Sequence, residues 1–460
     1  MHYLRECAHE RALLRRPGSA RTDTIRGDRG TNASQERVSG SGRVEENAVC
    51  LGCGCACDDI AVVIESGRIT EARNACPLGV RWFGDGSLPG AVLGGRSAAI
   101  EDVVGEIASV LHAARAPLVY LAPDLTCEAQ RAAVAIADQL HAFIDGVTSA
   151  TASEGILAAQ RRGRAGATLG EIRNRADVLV FWAVDPALAY PRFESRYAPN
   201  PVGVHVPNGR AGRTVIAVDV GSQRGPSDAD VRIQMTAEEE PLFFASLRGY
   251  LAGRTFGGAP ILARVMELAT RLTRAKYAVV VADAESPAPA AAAPGMRADS
   301  LIALTQSLNA TTRGALCTLR AGGNRNGADM VLTWQTGFPM AVDFSRGAPR
   351  YTPEDATLSR LARGAFDAVL LVGATAALPD TVAAALRGVR TIAIGPRASE
   401  SAIDASIRID TGVASIHESG IALRTDDVPL PLHAVLPTPR DTASLLKALG
   451  TAIAATRGAA

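Results

Sequence analysis

Short runs of consecutive apolar residues recur through this 460-residue chain, separated by helix-length amphipathic stretches. Leu118–Ala122, Val178–Trp182, Thr214–Val220, Tyr277–Ala282, Ala368–Gly373 and Thr391–Gly395 are strand-length and show little apolar–polar alternation. Runs of that kind form strands covered on both faces, as in parallel sheets whose crossover helices lie above and below. Ala98–Ala114 places Ile100, Val103, Val104, Ile107, Val110 and Leu111 on one helical stripe, and Ala129–Leu140 and Thr381–Leu386 read as further helices. The expected class is α/β, with several doubly wound, mostly parallel α/β domains.

A second feature sits ahead of that pattern. Cys50, Cys53, Cys55 and Cys57 fall within eight residues, and Cys76 follows in Asn-Ala-Cys-Pro-Leu-Gly. Between Cys57 and Cys76, Ile60–Glu65, Ser66-Gly67 and Arg68–Ala72 read as a hairpin whose turn returns the chain toward the first cysteines. A small N-terminal β subdomain built around a Cys cluster is expected. Clustered cysteines without the apolar core of a signal peptide point to metal binding in a reducing compartment, hence the cytoplasm, rather than to disulfides. Four thiolates suit an iron–sulfur cube first, a structural Zn(Cys)4 site is the alternative, and an empty cluster is the third reading.

The expected boundaries are a disordered extension over residues 1–46, rich in charge and poor in large apolar residues, and the Cys-cluster subdomain over 47–96. α/β domains follow over 97–283 and 297–436, with an Ala/Pro-rich loop over 284–296 between them and a C-terminal helix or tail over 437–460. Net charge is +1, so no bulk field draws the chain to nucleic acid or an anionic membrane. Lys276 and Lys447 are the only lysines, so arginine-rich spots reflect codon bias more than phosphate binding. No apolar run reaches the roughly 18 residues of a membrane span. The seven histidines are scattered, and neither a Walker A pattern nor a Gly-x-Ser-x-Gly elbow is present.

Three stretches carry a family likeness. They are the cysteine block with Asp58-Asp59-Ile60; Thr126-Cys127-Glu128-Ala129-Gln130 with Ile144-Asp145 and Leu169–Asp177; and Leu332–Gly347 with Pro349-Arg350-Tyr351. Together they resemble the B-type subunit of formylmethanofuran dehydrogenase, in the molybdopterin oxidoreductase superfamily, from about Cys50 to about Pro431. The resemblance implies one [4Fe–4S] cluster and a tungsten or molybdenum bis-pterin guanine dinucleotide, used to interconvert carbon dioxide and formate. Carried over, Cys50, Cys53, Cys57 and Cys76 are the metal ligands with Cys55 surplus, and Cys127 is the inherited Mo/W-ligand position, at a helix start where the dipole favours a thiolate. Methylotrophic bacteria hold a homologue inside a formyltransferase/hydrolase complex. There partner subunits move formyl from tetrahydromethanopterin to methanofuran and hydrolyse it to formate.

Departures from the family pattern bear on the pterin. Where the family commonly has Cys-His-Gly, this chain has Thr151-Ala152-Ser153-Glu154-Gly155. The His-rich stretch is replaced by Asp185–Phe193, and the glycine-rich basic motif after Tyr277–Ala282 by the Ala/Pro loop. A dinucleotide needs backbone N–H groups from glycine turns and basic side chains. The resemblance therefore implies a scaffold subunit of a formyltransferase/hydrolase complex in one-carbon metabolism, its pterin site degenerate and its methanofuran-type cofactor bound by partners. The alternative is an active Mo/W-pterin, iron–sulfur dehydrogenase subunit. Trp334, Phe338, Phe344 and Tyr351 concentrate aromatics in a chain with few, as core or as subunit interface.

Overall fold

Ser66 and Gly67 both adopt left-handed backbone, φ 50° and 75°, the two-residue turn whose twist matches flanking strands. It joins Ile60–Glu65 to Arg68–Arg73 in antiparallel register, the hairpin expected from sequence. Arg43–Ala48 adds a third strand on the other side of Ile60–Glu65, so pairing begins inside the stretch expected to lack structure. The computed structural model describes residues 42–88, 90–93, 96–254, 261–285 and 294–458. The expectation for residues 1–41, and most of that for the Ala/Pro loop, lies outside them.

Two larger sheets follow. One has five parallel strands in the order Val231–Met235, Thr214–Val220, Val178–Trp182, Ala278–Asp283 and Gly314–Leu319. Strand order reverses direction around Val178–Trp182, the mark of a doubly wound sheet. Apolar side chains cover both of its faces, Leu179, Phe181, Val279 and Val281 on one and Val180, Trp182, Val280 and Ala282 on the other. That burial explains the uninterrupted apolar runs.

The other sheet has nine strands. Its parallel centre runs Phe143–Gly146, Pro117–Leu121, Ala368–Val372, Arg390–Gly395 and Ala405–Asp410. Antiparallel strands close both edges: Val342–Asp343 and Arg350–Tyr351 on one side, Ala91–Leu93 and Arg96–Ser97 on the other. This sheet thus draws on chain segments from either side of the five-stranded one. Helix Thr442–Gly458 seats Leu445, Leu446, Leu449 and Ile453 against helices Ile100–Ala113 and Cys127–Gln139. No helix of the described residues is long and apolar enough to cross a membrane.

Asp145, fully buried, ties the aromatic block to this sheet. Its carboxylate accepts from Ala341 N, Thr357 N, Thr357 Oγ1 and Ser149 Oγ. Such multiple donors compensate a buried charge. The block itself divides: Phe344 is core, Phe338 and Tyr351 stack at 5.1 Å, and Trp334 stands 63% exposed.

Candidate functional site

The cysteine loop lies between strands Arg43–Ala48 and Ile60–Glu65 and is closed at its neck by Cys50 N donating to Cys57 O at 2.8 Å. Ala56 N donates to Cys53 O, turning the tip. Cys76 then caps helix Pro77–Phe83, with proline at the first helical position. A Cβ on Gly79 of that helix would stand 3.3 Å from Cys50 Sγ, so the helix lies directly on Cys50. The fold thus brings Cys50, Cys53 and Cys57 into one loop and returns Cys76 to it.

Cys50, Cys53 and Cys57 are buried, Cys55 is completely so, and Cys76 is half-buried. Burial pushes the Cys50 thiol well up. It also raises Cys57, against the opposing pull of Arg196 and Arg192. Cys53 is held low, first by a hydrogen bond with the Cys55 thiol, which is raised correspondingly. Cys55 therefore packs within the thiol set instead of pointing out of it. Among the described residues no three His, Cys, Asp or Glu side chains are arranged to hold one metal ion.

Asp58 and Asp59, next to Cys57, fasten this subdomain to the five-stranded one. Arg192 makes a bidentate pair with Asp59 at 2.6 Å for both oxygens, and Arg196 reaches both Asp59 and Asp58. Desolvation would raise Asp59, but Arg192 and Arg196 outweigh it and hold the carboxyl below its usual range.

Residues 320–326 seal the loop from the other side. Ala321 forms a bridge with Cys53, and Gly323 N donates to Leu51 O at 2.9 Å. A Cβ on Gly322 would lie 1.9 Å from Leu51 O, and one on Gly54 would lie 2.1 Å from Arg320 O. Only glycine permits this backbone contact. The space left between Cys53 and Asn324 is about 10 Å3, at the lower limit for a single water.

Asn324, in left-handed backbone at φ 58°, closes over Cys127. Its Nδ2 donates to Leu125 O at 2.8 Å and meets Cys127 Sγ at 3.6 Å, while Oδ1 accepts from Leu423 N. Cys127 begins helix Cys127–Gln139 behind the Thr126 cap, as expected, but is 4% exposed. Burial pushes its thiol up to about 11 despite the Asn324 hydrogen bond. It packs within the hydrophobic core of the nine-stranded sheet.

A cavity of about 550 Å3 lies at the carboxyl ends of Ala278–Asp283 and Gly314–Leu319. Doubly wound sheets bind ligands at this end. Thr151, Ala152, Glu154 and Gly155, the segment that departs from the family pattern, line it; Cys127 and the clustered cysteines do not. Its three arginines are already matched. Arg164 pairs with Asp427 at 3.0 Å, and Arg297 with Glu240 at 2.7 Å. Arg320, 6% exposed, bonds Glu285, Asp329, Asn326 and Thr148. A pyrophosphate entering here would meet arginines that each already hold a carboxylate. Sequence reasoning did not single out Asn324, Arg320 or Glu285. Gly322-Gly323 is the turn signal that could have marked the sealing loop.

No family model matches the chain. The B-type subunit of formylmethanofuran dehydrogenase 2 from Methanocaldococcus jannaschii, named as tungsten-containing, is 30% identical over 432 residues, 86% of this chain and 95% of that protein. The chain belongs to the family of formylmethanofuran dehydrogenase B-type subunits. The Methanococcus maripaludis protein of the same name is 30% identical over 431 residues, 86% of this chain and 95% of its own length. A chain of the formyltransferase/hydrolase complex of Methylorubrum extorquens, solved with methylofuran, superposes with TM-score 0.66 at 25% identity, covering 80% of this chain and all of its own. This family member thus shares its fold with a component of a bacterial multi-subunit assembly.

Proposed function

We propose that this chain is the B-type subunit of a formyltransferase/hydrolase complex in tetrahydromethanopterin- and methanofuran-linked one-carbon metabolism, working in the cytoplasm as a scaffold. Partner subunits bind the methanofuran-type cofactor and carry out formyl transfer and hydrolysis. The observation that carries this reading is Cys127, buried under Asn324 and absent from the lining of the cleft. A metal-ligating thiolate needs an open coordination position and an adjoining place for the pterin, and the 320–326 loop occupies the approach. Cys50, Cys53, Cys57 and Cys76 are the residues that would hold iron–sulfur or zinc, a centre with no pterin neighbour to exchange electrons with.

The test is metal analysis of the purified complex together with Cys127→Ala. Tungsten and molybdenum below stoichiometric amounts, with formyl transfer and hydrolysis retained in Cys127→Ala, are expected. Stoichiometric tungsten or molybdenum with extractable pterin overturns the scaffold reading and restores the dehydrogenase one.

A further inference from the structure

At the end of the five-stranded sheet opposite the cleft, where its strands begin, a second concavity of about 570 Å3 gathers cationic side chains that have no partner of their own among the described residues. The sheet's topology creates the gathering. Val178, Ala278 and Gly314 are cross-strand neighbours at the starts of three adjacent parallel strands. The residues just before them are therefore forced into one row. They supply Arg175, Lys276 and Arg313 to the same hollow, with His205 and Asn208 from the 205–212 loop as the facing wall.

Two acids also line the hollow, but the backbone engages them. Asp177 accepts from Lys276 N at 2.9 Å and Tyr277 N at 2.8 Å. Glu171 completes the capping box of Thr168, accepting from its backbone N at 3.1 Å. Among the described residues neither acid forms an ion pair with Arg175, Lys276 or Arg313, and none of these three side chains makes any hydrogen bond. The contrast with the cleft is direct, since every arginine there is neutralised. The phenol of Tyr277, pushed up to about 12 by burial, stays protonated between Arg175 and Arg313 and is a hydrogen-bond donor.

We infer that this hollow is a binding site for a small oligoanion, a molecule carrying two or more phosphate or carboxylate charges. Three exposed cations spread around a concave floor meet separated charges better than a single one, and the hollow's volume is in the range of small-molecule sites. The site is independent of the scaffold reading, being at the far end of the sheet from the cleft and from Cys127.

Titration calorimetry on the full-length chain at low ionic strength tests it, with inorganic pyrophosphate and citrate as probes and acetate as the monoanion control. Pyrophosphate or citrate is expected to bind more tightly than acetate, and added salt to weaken it. Arg175→Gln and Arg313→Gln are each expected to weaken binding about fivefold or more. Both residues are exposed, so the variants keep the parent's circular dichroism and melting temperature. Preference for pyrophosphate over citrate assigns the natural ligand to phosphates, and the reverse assigns it to carboxylates. Absence of saturable binding by either probe, or binding unchanged in an Arg175→Gln/Arg313→Gln double variant, overturns the inference.

Discussion

Replacing Arg320 by methionine tests whether the sealing loop is held by its internal charge network. The guanidinium stands against two carboxylates, Glu285 at 2.8 Å and Asp329, with Asn326 at 3.2 Å and Thr148 at 2.7 Å filling its other donors. All the partners are sheltered: the Glu285 and Asp329 side chains are 6% and 13% exposed. Methionine fills most of the volume but leaves the acids behind. Glu285 keeps Arg325 at 3.2 Å; Asp329 has no second cation among the described ion pairs. Breaking one side of a buried pair costs about 3–5 kcal/mol, because the remaining charge is stranded. For a chain of this size that lowers the melting temperature by roughly 3–5 °C.

The mechanism makes two further demands. Asp329→Asn in the Arg320→Met background should recover part of the loss, since the penalty is the orphaned carboxylate and not the missing arginine. Burial already raises the Asp329 carboxyl, and loss of Arg320 raises it further. An acid with a raised folded-state pKa stabilises the fold at low pH and loses that contribution as pH rises through the raised value. The deficit of Arg320→Met should therefore be smaller near about pH 5 than near about pH 8. Scanning calorimetry at both pH values reads both quantities. A shift below about 2 °C, or no recovery in the double variant, would refute the assignment of the loop's stability to this network.

Glycine contacts at the seal give a steric version of the same test. Gly322→Ala places a Cβ 1.9 Å from Leu51 O and should cost about 3 kcal/mol or more in denaturant unfolding, whereas Gly105→Ala, on an exposed helix face with nothing within 4 Å, should stabilise by about 0.5–1 kcal/mol. The buried Glu418 carboxyl is pushed up to about 7 by desolvation, against hydrogen bonds from Thr442 N and Oγ1 at 2.6 Å each. Its share of stability is present below its ordinary value of 4.5 and lost as pH rises toward 7, so Glu418→Gln should flatten the melting-temperature profile across that window. Cys55→Ala should leave iron or zinc per chain unchanged while Cys76→Ser lowers it, as read by plasma mass spectrometry. Trp334→Ala should leave the chain's own unfolding transition within about 0.5 kcal/mol but weaken co-purification with partner subunits, as expected of an exposed aromatic anchor.

The strands of the two large sheets were legible because covering both faces leaves an unbroken apolar run, a purely local signature. Their assembly was not. Ala91–Leu93 pairs with Ala405–Asp410, a juxtaposition that no periodicity encodes, because hydrophobic pattern sets which face is buried and not which distant strand it lies beside. The hairpin register was readable, since the turn residues Ser66 and Gly67 carry it. Cys127 shows a local cue outweighed by a tertiary one. Its helix start is real, and the dipole there contributes about 0.3–1 kcal/mol toward a thiolate. The shift from 9.0 to about 11 is larger and opposite at about 1.4 kcal/mol per unit. Asn324, nearly 200 residues away in sequence, closes the lid that makes desolvation win.

Arginine is where sequence reading is most easily misled in this chain. Arg164, Arg297 and Arg320 line the cleft, and Arg175 and Arg313 line the opposite hollow; nothing in their neighbours along the chain separates the two groups. The difference is made by carboxylates that arrive from elsewhere: Asp427 for Arg164, Glu240 for Arg297, Glu285 and Asp329 for Arg320. Each internal pair replaces an external anion as the counter-charge, so the cations of the cleft are committed without a ligand. The number of arginines in a cleft therefore does not by itself show whether it takes an anion. By the same reasoning, cations left unmatched mark where an external anion is still needed. The amino-end hollow meets that condition, and the carboxyl-end cleft does not.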